Sequence, residues 1–166
     1  MIQNLRTAHW AHSRKKAELL TDSIPLIKME FKKKQTFVKM GEQKFEISKD
    51  GFWCPKIIIT ENEKIIAIQK QLGFWGTKSE FVLDDQAYIA KTKQGMLFNI
   101  TYSFNGIEIL TYKLDALKTK PVIRYEIKNA DIPGKHLMIL LALGFYSMKN
   151  VAIEAMSSDF IVTAVA

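Results

Sequence analysis

Leu137-Met138-Ile139-Leu140-Leu141-Ala142-Leu143-Gly144-Phe145-Tyr146 runs for ten residues without a charge, and its reading decides the fold. At helical spacing it puts apolar side chains on every face, so a helix here must be surrounded by protein or lipid on all sides. A bilayer span needs about 20 apolar residues, whereas this run is interrupted at Ser147, Lys149 and Asn150, with Glu154 soon after. The expectation is a buried core helix over about 135–150 and no transmembrane segment.

What surrounds the helix has to come from the preceding chain, and that chain reads as strands. From Ile27 the pattern has a period of two, with Ile27, Met29 and Phe31 on one face and Lys28, Glu30 and Lys32 on the other. Alternation recurs at 37–40 and 44–48 around Gly41-Glu42, at 56–60 and 64–70 around Glu61-Asn62-Glu63, and at 81–83 and 87–91 around Asp84-Asp85. Ile57-Ile58-Ile59 and Ile65-Ile66 supply β-branched residues that suit a pleated sheet. The clearest signal is Phe98-Asn99-Ile100-Thr101-Tyr102-Ser103-Phe104, which reaches Asn105-Gly106 and resumes as Ile107-Glu108-Ile109. Asn-Gly provides two positive-φ residues for a type I′ turn, and the register it sets pairs Phe104 with Ile107 and Tyr102 with Ile109. A strand over 122–128 leads to the helix, and 159–165 reads as a closing strand or a frayed tail.

About ten short strands with no room for helical crossovers exclude doubly wound folds, which need a helix after nearly every strand. A helix with its side chains is about 10 Å across, so a sheet curled around one has to be wider than an eight-stranded barrel. The fold class expected is mainly β: a closed antiparallel barrel of about ten or more strands around a buried hydrophobic C-terminal helix. The chain divides into an N-terminal basic arm or short helix over 1–22, closed by Ile24-Pro25, and one barrel domain over 23–166.

This order of elements, successive hairpins followed by Asp131-Ile132-Pro133-Gly134 and the apolar run, resembles the tubby C-terminal-like superfamily, in particular its LURP-one-related and scramblase-like branches. The resemblance covers roughly residues 24–156 and is carried by the succession of elements. No segment matches the tubby signature, and no family ligand residue maps onto a numbered position. It implies the helix-filled barrel, with phosphoinositide or membrane-surface binding as the best-known use among eukaryotic tubby members.

The net charge of +7 is concentrated at one end, since residues 1–40 hold nine Lys/Arg against three acids and the remainder fifteen against fourteen. A basic end on a neutral body attracts phosphate, and it also serves as a solubilising arm. Arg14-Lys15-Lys16 and Lys32-Lys33-Lys34 are the candidate anion or lipid-headgroup residues; the plainer reading of the second is a solvated turn that blocks edge pairing. Gly51-Phe52-Trp53-Cys54-Pro55-Lys56 and Gly73-Phe74-Trp75-Gly76-Thr77-Lys78 share Gly-Phe-Trp-x-x-Lys. They read either as equivalent hairpin corners with close packing or as aromatic-lysine loops in which Trp53, Lys56, Trp75 and Lys78 grip an acidic ligand.

Catalytic constellations are not visible. His9 and His12 have helical i, i+3 spacing but no third ligand, so no metal is expected. His136 reads as structural at the helix start, and Asp84-Asp85 as a turn. The single Cys54 has no base beside it in sequence and rules out an internal disulfide framework, and no cofactor fingerprint is present. Phe98, Tyr102 and Phe104 share a face with the isoleucines as core, which argues against a nucleic-acid stacking platform. The function expected is a non-enzymatic binding or scaffold module, cytoplasmic and peripheral to the membrane, with anionic phospholipid or an acidic protein as partner. The alternative is a small-ligand carrier or enzyme with a pocket at the barrel mouth.

Overall fold

The computed structural model describes residues 2–51, 55–73, 76–94, 97–115, 122–155 and 161–164, with side chains placed for all of these except 2, 153–155 and 161–164. After a short helix, α1 (Ile2–Thr7), twelve strands follow: β1 (His9–His12), β2 (Lys16–Thr21), β3 (Ile24–Phe31), β4 (Gln35–Met40), β5 (Gln43–Asp50), β6 (Lys56–Glu61), β7 (Lys64–Leu72), β8 (Lys78–Leu83), β9 (Gln86–Lys93), β10 (Leu97–Phe104), β11 (Ile107–Asp115) and β12 (Val122–Ile127). Then come α2 (Gly134–Ala155) and β13 (Ile161–Ala164). Each strand from β1 to β12 pairs antiparallel with its sequence neighbour, and β13 joins β12 in parallel. The ends of the sheet, β1 and β13, lie beside each other, but among the described residues no hydrogen-bonded ladder joins them.

The sheet wraps α2. Phe145 stacks on Trp10 of β1 with ring centroids 4.2 Å apart and meets Phe31 of β3. Lys135 pairs with Glu61 of β6, His136 with Tyr88 of β9, and the Leu141 carbonyl accepts from the Tyr112 hydroxyl of β11. Leu137, Ile139, Leu140, Leu141, Ala142, Leu143, Phe145 and Met148 are all buried. The helix is longer than its apolar run because Ser147, Asn150 and Val151 continue the helical spacing at one mouth of the sheet. Among the described residues no helix is long and apolar enough to cross a membrane.

Gly144 shows how tightly the helix fits. A Cβ there would lie 2.3 Å from Cε2 and 2.4 Å from Cδ2 of Tyr112. That ring cannot swing clear, because its hydroxyl receives the Trp10 indole N–H, donates to Leu141 and stands beside Tyr125. Glycine to alanine within a helix normally stabilises by about 1 kcal/mol. Here the overpacking reverses the sign, and Gly144→Ala is expected to cost about 2–3 kcal/mol, read as a lower urea midpoint.

Two expectations need correction. The segment expected as a basic arm or short helix is helical only over Ile2–Thr7: β1 and β2 form a hairpin in the sheet, pairing Trp10 with Leu19 and Ala11 with Glu18. The inward positions of β1, β2 and the residue before them are Ala8, Trp10, Ala17, Leu19 and Thr21, and the small or polar Ala8, Ala17 and Thr21 among them hide the alternation. Asn105 and Gly106 do take positive φ, and Phe104 pairs with Ile107, but Tyr102 pairs with Leu110 across a bulge between Tyr102 and Ser103. The bulge turns the Ile109 carbonyl out of the ladder to accept the backbone N–H groups of Lys128 and Asn129.

Candidate functional site: a basic rim and its mouth

Because the meander alternates direction, every second connection lies at the same end of the sheet. One rim carries the turns β2–β3, β4–β5, β6–β7, β8–β9 and β10–β11, each only two residues long. Asp22-Ser23, Asn62-Glu63, Asp84-Asp85 and Asn105-Gly106 take positive φ at both positions, a geometry that Asp and Asn tolerate through local hydrogen bonding. This tight rim is acidic, with Asp22, Glu42, Glu63, Asp84 and Asp85 in the turns. Turn chemistry accounts for much of that acidity. α1 sits at this rim, where the Asn4 carbonyl accepts from Thr21, and Tyr125 donates to Leu5 and Ala8.

The opposite rim carries the longer connections, and its described connecting residues hold Arg14, Lys15, Lys32, Lys33 and Lys34 with no acid. Lys16, Lys56 and Lys78 begin the strands that leave it. All eight of the described candidate residues therefore share one rim, although they come from four connections separated along the chain. Arg14-Lys15 and Lys32-Lys33-Lys34 are direct neighbours, since the Lys15 carbonyl accepts from the Phe31 N–H at 2.8 Å and Lys16 pairs with Glu30. The side chains are exposed. Lys32 is partly engaged, 3.9 Å from Glu30 and 4.6 Å from the centroid of Phe37.

Gly51 and Gly73 occupy equivalent corners of this rim, immediately after β5 and β7, with φ of 89° and 82°. A Cβ at Gly73 would meet nothing within 4 Å, so backbone conformation rather than close packing calls for glycine there. Trp53, Trp75 and Cys54 lie outside the described residues.

Inside the rim, one half of the mouth is plugged. Lys149, on the last turns of α2, is 3% exposed and points its ammonium at the Phe31 ring, 3.2 Å from the centroid. It donates to the carbonyls of Arg14 at 2.9 Å and Ser13 at 3.4 Å, and burial pushes its pKa down to about 8. The other half opens into a cavity of ≈ 230 Å³ between α2 and the ends of the middle strands. A larger groove of ≈ 490 Å³ lies elsewhere, over strands β2 to β6, but its lysines are matched by glutamates, as in the Lys28–Glu18 pair.

Sequence reasoning missed a chain of polar groups at the tight rim. His136, 2% exposed, has Nε2 3.0 Å from Asp84 Oδ2 and Nδ1 2.7 Å from the Tyr88 hydroxyl, which donates to Gln86. The hydrogen bond from His136 holds the Asp84 carboxyl below its ordinary pKa, and burial pushes Tyr88 up to about 12. With Lys135–Glu61 beside it, this chain fastens the first turn of α2 to two hairpin turns. Only the helix-start position of His136 hinted at it.

His9 and His12 fall in β1, where i, i+3 positions face opposite sides of the strand, and among the described residues no three His, Cys, Asp or Glu side chains gather as a metal site. No family model, curated protein or solved structure matches the chain.

Proposed function

We propose that the chain is a non-enzymatic binding module that lays its basic rim on anionic phospholipid headgroups, working as a cytoplasmic protein peripheral to the membrane. The observation that carries this reading is the sorting of charge by rim. Five basic residues project from neighbouring turns at one end, while the turns at the other end are acidic. Each lysine or arginine near an anionic surface contributes about 1 kcal/mol, so the cluster supplies weak, salt-sensitive binding and the acidic rim sets its orientation. In the same reading the sheet is a barrel closed at the β1–β13 seam, as the tubby-like resemblance implies, and the adjacency of those strands supports it.

Co-sedimentation with phosphatidylserine or phosphoinositide vesicles tests the proposal. The intact chain is expected to pellet at low salt, less at physiological salt, and to stay in solution when Lys32, Lys33 and Lys34 are all changed to glutamine. Absence of pelleting at low salt would remove the membrane reading and favour an acidic protein partner.

A further inference from the structure

Along most of the sheet the inward positions are apolar, but at the basic rim they change character. Lys49 is two residues beyond the buried Ile47, Gln69 two beyond Ala67, Ser79 two before Phe81, and Thr92 two beyond Ala90. By strand periodicity all four point inward. Lys49, Ile57 and Gln69 form one register line across β5, β6 and β7, which sets Lys49 and Gln69 about 10 Å apart at Cα. The last turns of α2 face them with Ser147 and Asn150. These residues line the open half of the mouth, and among the described residues no carboxylate lines it.

One wall of the cavity also holds an unmet hydrogen-bonding atom. Gln69 Nε2 donates to Ser79 Oγ at 2.6 Å, while Gln69 Oε1 is buried with no partner among the described residues. Turning the amide over exchanges the atoms but still leaves one unmet. A buried polar atom without a partner costs about 1–3 kcal/mol, a cost relieved when the Gln69 side chain turns to meet a group in the cavity. The volume is below the roughly 300–1,000 Å³ that accommodates drug-sized ligands, and the one charged group among the described lining residues, Lys49, is a cation.

We propose that this half-mouth is a binding site for a small hydroxylated organic anion. Its carboxylate or phosphate pairs with Lys49, and its hydroxyls complete Gln69, Ser79 and Asn150. The site is separate from the outward-facing lysines of the rim and stands whether or not those lysines meet a membrane.

The test uses the full chain, isotope-labelled, with nuclear magnetic resonance detection of the side-chain amides of Gln69 and Asn150. The probes are gluconate and glycerol 3-phosphate, compared at millimolar concentration with neutral glucitol and with hexanoate, which has no hydroxyl. The two hydroxylated anions are expected to shift both amides, or Asn150 alone in Gln69→Leu, and the controls are not. Lys49→Gln and Gln69→Leu are each expected to weaken binding about tenfold or more, with melting unchanged or raised. Silence with both anions, equal shifts from glucitol, or parental affinity in both variants would overturn the proposal. Gln69→Leu retains vesicle pelleting and the lysine-turn variant retains probe binding, so the two readings fail independently.

Discussion

Leu140→Asp is expected to abolish cooperative folding. Leu140 is fully buried at the centre of α2, inside the curled sheet. Keeping an aspartate there costs several kcal/mol whether it stays charged or takes up a proton. Total stability of a domain is about 5–15 kcal/mol, so little margin survives. Loss of the near-ultraviolet signal and of a cooperative melt is the expected readout. A variant that melted like the parent would show that the helix is not enclosed.

The second large effect is alkaline unfolding. Burial raises the hydroxyl pKa of Tyr102, Tyr112 and Tyr125 well above the ordinary 10. Above pH 10 the unfolded chain gives up these protons while the folded chain keeps them, so stability falls by about 1.4 kcal/mol per tyrosine per pH unit. At pH 11 the three together remove about 4 kcal/mol. Lys149 works in the opposite sense. Its pKa is about 8 folded and 10.5 free, so the unfolded chain holds the extra proton between those values, and stability rises with pH across that window. Urea midpoints are therefore expected to climb gently from pH 8 towards 10 and then drop steeply. Lys149→Met should flatten the climb and leave the drop. Constant midpoints through pH 11 would mean that the tyrosine hydroxyls reach solvent.

The meander and its enclosed helix were legible because the signals were local: unbroken alternation around Asn105-Gly106, and a helical segment without a polar side. The first hairpin was obscure because three of its five inward positions, Ala8, Ala17 and Thr21, are small or polar, which leaves only Trp10 and Leu19 to announce burial. The Ile109 bulge was invisible for a different reason, since it answers to a backbone hydrogen bond from Lys128, in a connection that follows the next strand. Charge sorting required the parity of the connections. Lys33 and Lys56 look unrelated along the chain, and only a count of strand reversals puts them at one end while Asp84 goes to the other. Lys49 and Gln69 are twenty residues apart, and only the register through Ile57 brings them to one mouth.

The order in which the elements appear also bears on how the protein is made. Nearest-neighbour pairing lets each hairpin form as it leaves the ribosome, because every ladder from β1 to β12 closes over a short separation. The helix that fills the curled sheet, α2, is translated only after the twelfth strand. Until then the nascent chain carries a largely apolar lining with nothing in it, the kind of exposed surface that aggregates or recruits chaperones. A ribosome stalled before Gly134 would hold a wall without its filling, so the hazardous interval of biosynthesis is set by the position of the helix in the gene.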